Sequence, residues 1–329
     1  MDLTPGTPAL VIGGDARAAG QVAALLAAGA DVTVVSPEAT ASIEDLADRG
    51  LITWHRREAA MSDVHAAGVV LTGHADEHGP DRILDTGIVT LVGGGPGDPG
   101  LVTVAGREAI ESADVIITDR LAPLAALAWA RADAEIIDVA KIPGGRSTSQ
   151  DDINQLLVEH AKSGQNVVRF KGGDNFVFGR GSEELLACLH AGIETRVVPG
   201  VTSAIAAPAL AGIPVTHRGL TQGFTVISGH VPPGHPESTI DYPALATAGT
   251  TIVVLMGVRT LSAICEALAD GGLPARTPAA VIADGAMPSQ QVVRATLATI
   301  GEAAAGLGAP AVAVIGDVAD IPGLNGSPA

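Results

Sequence analysis

The sequence predicts an α/β protein in which two lobes follow a smaller α/β domain. Short runs of β-branched and aliphatic residues alternate with Ala-rich helical patterns, which is typical of parallel sheets covered by helices. The chain of 329 residues is long enough for two or three domains, and its pattern divides at 1–86, 87–222 and 223–329. No apolar run reaches the length of a membrane span, so we expect no membrane partner.

Residues 1–86 begin as strand, glycine turn, helix and strand, which is the start of a Rossmann-like domain. The first predicted strand, 9–12, leads into Gly13-Gly14-Asp15, and the second covers 31–35. A dinucleotide fingerprint needs glycine where Asp15 stands, so that the backbone can approach a pyrophosphate. A carboxylate at that position would repel the phosphates, and NAD binding is therefore not expected.

The pattern restarts at a strand over 88–92, which is followed by a glycine-rich loop, 93–100, and a predicted helix over 101–112. The next strand ends at Asp119-Arg120, and a strand over 136–140 leads to Lys141. Ligands bind at the carboxyl ends of strands in open α/β sheets. Asp119 and Lys141 are therefore candidates for a base and an acid, although a structural ion pair would equally explain them.

Phe170–Gly181 reads F-K-G-G-D-N-F-V-F-G-R-G and is the most unusual segment of the chain. It holds three of the four Phe residues of the protein and follows a β-branched run that predicts a strand. Glycines let the backbone approach a ligand closely or adopt positive φ. The density of glycine, charge and aromatic residues predicts a pocket at this turn.

A second series of strands is predicted at 225–228, 251–256, 279–283 and 311–315. The Pro-rich segment 231–240 is predicted to be a linker or surface loop between the two lobes. Upstream of it, Pro199-Gly-Val-Thr-Ser203 is a turn into an Ala-rich helix that Thr202 or Ser203 can cap. The triplet Thr216-His217-Arg218 is polar and cationic enough to favour anion binding.

The formal net charge of −17 argues against a nucleic-acid partner, which would need a broad basic face. Cys188 and Cys265, the two cysteines, lie in helical patterns and are predicted to be buried core thiols rather than a disulfide or a reactive site. Free thiols and the lack of a signal-peptide pattern fit a reducing cytoplasm.

Several motifs together carry a family resemblance. V-G-G-G-P-G-D-P-G-L-V-T, T-D-R-L, K-G-G-D-N-F-V-F-G-R-G-S-E-E, V-P-G-V-T-S-A and G-I-P-V-T-H-R, in this order, resemble the tetrapyrrole methyltransferases, and among them the uroporphyrinogen-III C-methyltransferases. The resemblance covers about residues 88–322. It implies the two-lobed tetrapyrrole methylase fold, S-adenosylmethionine held between the lobes, and commonly a homodimer. The implied reaction methylates uroporphyrinogen III at positions 2 and 7, giving precorrin-2 through precorrin-1 and releasing S-adenosylhomocysteine.

The resemblance also implies roles for individual residues. Asp119 and Lys141 match the family's proton acceptor and donor. Arg180, Glu183 and Arg218 match positions that face the tetrapyrrole. The implied cofactor contacts are Pro96, Gly172, Gly173, Asp174, Val177, Thr202, Ser203, Met256, Gly285 and Ala311. Asn175 stands where family members usually have Pro. The substrate carries eight carboxylates, so its site needs cations, and Lys141, Arg146, Lys171, Arg180 and Arg218 are candidates.

The first 86 residues resemble the NAD-binding domain of the precorrin-2 dehydrogenase half of sirohaem synthases, with Val-Thr-Val-Val-Ser-Pro as a typical segment. The dimerisation and helical segments of that family have no room between Leu84 and Ile88, and Thr72–Asp76 replaces its acidic catalytic turn. Two alternatives stay open. One is a bifunctional enzyme that also oxidises precorrin-2 or chelates metal, and the other is a non-enzymatic tetrapyrrole or NAD sensor.

Overall fold

The computed structural model describes residues 4, 6–14, 16–58, 63, 69–71, 86–139 and 148–324. The chain forms two compact units, Met1–Ile83 and Leu84–Ala329. The finer division predicted at residues 86 and 222 stays a prediction. In the described ranges, no helix combines the length and the apolar character that crossing a bilayer requires.

The first unit is a four-stranded parallel sheet in the order β3-β2-β1-β4. Its strands are β1 Pro8–Ile12, β2 Asp31–Val35, β3 Thr53–His55 and β4 Val69–Leu71, and its helices are α1 Ala16–Ala27 and α2 Ala41–Asp48. Alternate aliphatic residues of β1 and β2, such as Val11 and Val34, are fully buried against Val22 and Leu25 of α1. The Rossmann-like domain predicted from the sequence is confirmed.

The second unit contains two five-stranded sheets, and the first of them is entirely parallel in the order β7-β6-β8-β5-β9. Its strands are β5 Ile88–Gly93, β6 Val115–Thr118, β7 Glu135–Asp138, β8 Val167–Lys171 and β9 Glu194–Val198, and its helices are α3 Val104–Ser112, α4 Gln150–Lys162 and α5 Gly181–His190. β8 is the central strand and all five of its residues are buried. Both faces of a parallel sheet are covered, which explains its run of bulky residues.

The helix predicted over 101–112 is shorter in the structure. A 3-10 turn, Pro99–Leu101, precedes it, and the α-helix starts only after Thr103. The Thr103 hydroxyl accepts a hydrogen bond from Gly106 N at 3.1 Å, which satisfies one of the free N–H groups of the first turn. The capping residue thus sets the start of the helix and leaves 93–103 as an extended loop.

The second sheet is mixed, with the order β10-β11-β14-β12-β13. Its strands are β10 Phe224–Ser228, β11 Thr251–Leu255, β12 Pro278–Ala283, β13 Gln291–Thr296 and β14 Ala311–Ile315, and the remaining helices are α6 Ser203–Leu210, α7 Tyr242–Thr247, α8 Leu261–Asp270 and α9 Ile300–Ala303. Only β10 and β11 pair in parallel. The sequence patterns did not predict β13, because its partly buried residues lack a continuous apolar run.

The prediction that 231–240 links the two lobes is wrong. β10 already belongs to the second sheet, so this segment connects β10 to α7 inside one lobe. The connection between the sheets instead runs through α6, whose Ala204 and Ala207 pack against Val253 and Val314 of the second sheet. Proline content identified a surface loop correctly but could not show which elements it joins.

Candidate functional site

Four loops leave the first sheet at one edge. The register pairs Gly93 with Lys171 and Thr118 with Phe170, and all the strands run in the same direction. The residues that follow these strand ends, including Asp119 and the Gly172–Asp174 turn, therefore start side by side. The sequence assigned these residues to one site, and the topology brings them to one edge.

Backbone hydrogen bonds join the glycine-rich loops to each other. Gly95 N donates to Gly173 O at 3.1 Å, and Gly173 N donates to Gly95 O at 2.6 Å. Asp174 fastens the next loop, because its Oδ2 accepts from Gly200 N at 3.0 Å. Gly173 has φ of +65°, a left-handed conformation that favours glycine. The loops after β5, β8 and β9 thus form one rigid cradle.

The predicted residues of the second sheet also meet at one edge. β11 and β12 both run antiparallel to β14, with Leu255 paired to Val312 and Ala283 paired to Ala311. Met256 follows β11, Gly285 follows β12 by two residues, and Ala311 begins β14. The Met256 side chain is 50% exposed, so it presents an apolar surface at this edge.

The two edges approach one another in the second unit. A Cβ placed on Gly97 would lie 3.1 Å from the Met287 side chain and 3.6 Å from Gly285 O. Thr202, predicted as a cap, accepts a hydrogen bond from Ala204 N at 3.3 Å and begins α6, the helix between the sheets. Ser203 Oγ would lie 3.5 Å from a Cβ on Gly173. The residues predicted to bind the cofactor therefore lie on two sheet edges that approach one another at Gly97 and Gly285.

Strained backbone is concentrated at the two sheet edges. Among the described residues, the non-glycine residues with positive φ are Phe178, Arg180, Met256, Asp284 and Ala286. All five follow β8, β11 or β12 at the two edges. Such conformations cost on the order of 1–3 kcal/mol each and tend to cluster at ligand sites. The strain, which is invisible in the sequence, marks the same edges as the motifs.

A buried ion-pair network lies beneath the first edge. Arg169 of β8 donates through Nε to Glu184 Oε1 at 2.9 Å and through an Nη to Asp119 Oδ2 at 3.1 Å. Lys171 Nζ donates to the same Glu184 oxygen at 2.8 Å. Asp119 is the only member with an exposed side chain, at 28%, while Glu184 is fully buried. Asp119 is therefore an ion-pair partner and is also accessible. The structure is compatible with both roles that the sequence left open, a catalytic base and a structural ion pair.

Lys171 cannot hold a substrate carboxylate in this structure, and its place among the candidate substrate cations is wrong. Its side chain is buried and directed to Glu184. Burial, and secondarily the neighbouring Arg169 charge, lower the pKa of Lys171, while Glu184 partly restores it. Sequence alone could not separate a cation inside the sheet from one at its surface.

The predicted tetrapyrrole-facing residues are at the surface. Arg180 donates to Glu183 through Nε at 2.8 Å and through an Nη at 2.7 Å. The hydrogen bond from Arg180 lowers the pKa of Glu183. Arg218 is exposed in a turn between His217 and Thr221. Val177 is half-buried between two exposed Phe side chains. Lys141 and Arg146 lie outside the described residues.

Sequence reasoning missed the positions of Asn175, Arg169 and Glu184 in this site. Asn175 is fully buried and donates to Leu91 O at 3.2 Å and Val198 O at 2.9 Å, tying its loop to β5 and β9. The sequence did contain a signal for the ion-pair network, namely the two cations Arg169 and Lys171 at the end of one predicted strand. Charged residues are rarely buried unless they are paired, so two of them in a central strand indicate a buried partner.

The glycine turn of the first unit is packed tightly. A Cβ on Gly14 would overlap Glu38 O, and Thr40 N donates to Gly14 O at 2.8 Å. Gly14 therefore allows the turn to approach the loop after β2. Asp15, on which the prediction against NAD binding rests, lies outside the described residues, and so does Thr72–Asp76.

In the second unit, the loop edges of two α/β sheets approach one another, and a partly exposed acid lies beside a buried ion-pair network; this arrangement is typical of a two-lobed α/β enzyme. Residues 89–301 match the model of the Tetrapyrrole (Corrin/Porphyrin) Methylases, and residues 4–86 match that of a family described as "Putative NAD(P)-binding". The chain belongs to the tetrapyrrole methylases.

The chain is similar to the S-adenosyl-L-methionine-dependent uroporphyrinogen III methyltransferase of Methanosarcina barkeri, with 48% identity over 73% of this chain and 95% of that protein. It is also similar to the uroporphyrin-III C-methyltransferase of Thermus thermophilus complexed with S-adenosyl homocysteine, with 37% identity and a TM-score of 0.61 over 70% of this chain and 98% of that one. Siroheme synthase 3 of Aeromonas hydrophila is 43% identical over 74% of this chain but only 52% of its own length.

These similarities confirm the family resemblance, the two-lobed fold and the prediction of a methyltransferase. The cofactor predicted from the motifs is the one that the Methanosarcina relative carries in its name. The residue assignments, which depend on positions rather than on the family, stay predictions.

Proposed function

We propose that the chain catalyses the S-adenosylmethionine-dependent C-methylation of uroporphyrinogen III. The observation that carries the proposal is the cradle formed by Gly95, Gly173 and Asp174, whose first loop approaches the turn at Gly285 of the second sheet through Gly97. The proposal includes methylation at positions 2 and 7, giving precorrin-2 through precorrin-1. The 48% identity to an enzyme named for this substrate supports the substrate assignment.

The residues at the cleft suit a cofactor with an apolar and a polar part. Gly173 leaves space beside Ser203, whereas Gly172 is required because the Leu121 backbone fills the space that its Cβ would need. Exposed Met256 and half-buried Val177 supply apolar surface. We assign the cofactor contacts to Pro96, Gly172, Gly173, Asp174, Val177, Thr202, Ser203, Met256, Gly285 and Ala311.

The cofactor supplies a methyl group on a sulfonium; its carbon–sulfur bond breaks as a bond to the pyrrole carbon forms, and S-adenosylhomocysteine leaves. Methyl transfer leaves a positive charge on the macrocycle, which is neutralised when a proton is removed from another position of the ring, because the methylated carbon is already fully substituted. Asp119, partly exposed at the sheet edge, accepts that proton in our assignment. Lys141 is assigned as the proton donor from the family resemblance.

Cations at the surface hold the substrate's carboxylates. Arg180 is 56% exposed and already has its guanidinium oriented by Glu183. Its fork geometry suits bidentate binding of a carboxylate. We assign Arg180, Glu183 and Arg218 to the substrate side of the cleft. The paired arrangement of Arg180 and Glu183 means that an incoming carboxylate competes with Glu183 or shares the guanidinium with it.

We further propose that the enzyme acts as a homodimer in the cytoplasm. Leu186 and Leu189 on α5 are each more than half exposed and provide apolar surface that a second copy can cover. The two buried free thiols fit a reducing compartment.

The test compares two glycines that share positive φ. Gly173→Val places a side chain toward Ser203 in the cleft, whereas Gly192→Val enters open space in the turn after α5. Both substitutions carry a similar backbone cost, about 1–2 kcal/mol. Calorimetric titration with S-adenosylmethionine should show an affinity loss of about 100-fold or more for Gly173→Val only, or about 2.7 kcal/mol. Equal affinities for the two variants would contradict the cofactor site.

A second activity, NAD-dependent oxidation of precorrin-2, is favoured by the family match of residues 4–86 and by the sirohaem synthase relatives. We propose instead that the first unit has no useful dehydrogenase activity, because Asp15 would face the pyrophosphate. Precorrin-2 and NAD supplied to the purified chain should give no sirohydrochlorin. Formation at a rate comparable to methylation would establish the bifunctional alternative.

A further inference from the structure

The Asp119 carboxylate is fixed from inside the sheet. Its Oδ2 receives a hydrogen bond from Arg169 at 3.1 Å, and its Oδ1 receives one from Leu121 N at 3.0 Å. Each carboxylate oxygen has further lone pairs, so both bonds leave room to accept a proton. With a bond at each oxygen, the plane of the carboxylate is set relative to the sheet edge.

Arg169 is itself held on every side. Its Nε bonds Glu184 at 2.9 Å, and one Nη donates to the carbonyls of Ile117 and Phe170, each at 3.2 Å. The guanidinium is planar and rigid, so fixing two of its nitrogens also fixes the third, which contacts Asp119. The side chain is only 3% exposed, which denies it competing bonds with water.

Glu184 keeps this arrangement electrically balanced. Its Oε1 accepts from both Arg169 and Lys171, so the network contains two carboxylates and two cations. A buried network of this kind is costly to desolvate and is often less stable than an apolar replacement. Stability therefore gives no reason to run a chain of charges from the sheet interior to a partly exposed carboxylate at the sheet edge.

We propose that Arg169, held by Glu184, is a positioning residue that orients the Asp119 carboxylate for proton removal during methyl transfer. The inference rests on the proposed function, because it concerns the base of that reaction. Misplacing a reacting group by about 1 Å can cost on the order of 100-fold in rate. Arg169 acts on the rate through Asp119, without contact to the substrate or the cofactor.

The test is Arg169→Lys, which keeps the charge but cannot reach Glu184, the carbonyls and Asp119 together. Turnover number and KM are measured with uroporphyrinogen III, and S-adenosylmethionine affinity is measured by calorimetry. We expect kcat to fall about 10- to 100-fold while KM and cofactor affinity change by less than about twofold. The matched control is Arg196→Lys on β9, whose arginine pairs with Glu194 at the surface, and it should keep full kcat.

A double-mutant cycle separates positioning from general damage. In an Asp119→Asn background, Arg169→Lys should slow the residual reaction by less than about twofold, because residues that act as a unit are not additive. Rate losses that multiply in the double variant would overturn the proposal. So would full kcat in Arg169→Lys.

Thermal unfolding and cofactor binding show whether Arg169→Lys folds. If it does not fold, kcat, KM and cofactor affinity are measured for Glu184→Gln instead. Glutamine keeps the shape but loses the charge that holds the guanidinium, and we expect kcat to fall several-fold with KM unchanged. An unaltered kcat in this folded variant would overturn the proposal. Absence of methyl transfer by the unchanged chain would instead overturn the proposed function, and the positioning role with it.

Discussion

Two buried strands, one in each sheet of the second unit, differ sharply in chemistry. β8 reads Val-Val-Arg-Phe-Lys, and β11 reads Thr-Ile-Val-Val-Leu. β8 is buried along its whole length and β11 nearly so, but in the described part of the chain the buried charged side chains are Arg169, Lys171 and Glu184, all in the first sheet and its covering helix. The second sheet is packed by aliphatic residues.

The difference teaches how each sheet contributes to the site. The first sheet adds to its aliphatic core a set of ion pairs that extend to Asp119, so damage to these ion pairs should reach the chemistry. The second sheet supports Met256 and Gly285 on an apolar core, whose contacts are non-directional and spread over many neighbours. Core substitutions there should change stability and leave turnover alone.

The largest effect is expected from Glu184→Ala, which leaves Arg169 and Lys171 buried without their shared carboxylate. Removing one partner from a buried ion pair costs about 3–5 kcal/mol. We expect a loss of this size in the free energy of unfolding, measured by urea denaturation at about pH 7, together with a loss of kcat. A loss under about 1 kcal/mol would mean that the ion pairs of the first sheet contribute as little as surface pairs.

The same variant should show a distinctive pH dependence. Glu184 raises the pKa of Lys171 against the lowering effects of burial and Arg169, so its removal lowers that pKa further. Between the folded pKa and the usual 10.5 of the unfolded chain, the unfolded state binds more protons, and the stability conferred by this group rises with pH. The stability deficit relative to the unchanged chain should therefore shrink as the pH rises towards 10.5, whereas an apolar-core variant should show a constant deficit.

A smaller effect is expected from Ile252→Val in β11. Ile252 is 1% exposed and lies near the start of β11, whereas Met256 follows the last residue of that strand. Deleting one buried methylene costs about 0.5–1.5 kcal/mol. Thermal unfolding should show this loss, while kcat, KM and cofactor affinity remain unchanged. A fall in kcat would show that the two sheets are not separable in the way that their cores indicate.

The smallest effect concerns the thiols, where the sheets should behave alike. Burial raises the pKa of both Cys188 and Cys265 to about 11 from 9.0, with smaller contributions from Glu184 and Glu266 respectively. Thiolate, the reactive form, is then about a hundredfold scarcer at neutral pH than in an exposed cysteine. Iodoacetamide should modify neither thiol until the chain unfolds. Rapid labelling of one cysteine would reveal local opening of its sheet.

The sequence predicted much of the fold because its signals were local. Strand runs such as 31–35 and 311–315 agree with the structure to the residue, and both cysteines are buried as expected. The structure has strained, cross-bonded turns in the motif at 170–181, and the pocket predicted there stays a prediction. Predictions failed where the local signal is weak or says nothing about connectivity: the partly buried edge strand β13 lacks a continuous apolar run, and proline content could not show that 231–240 belongs wholly to one lobe.

The sequence by itself determined the family, the alternation of strands and helices, and the residue types of the candidate site, because glycines, periodicity and motif order are properties of short segments. Only the tertiary structure decided which cations are available to a substrate. Arg169 and Lys171 point into a balanced network, while Arg180 reaches the surface. Burial and pairing of a charge depend on Glu184 and Asp119, which lie 13–50 residues away in the chain and come within hydrogen-bond distance only when the sheet forms.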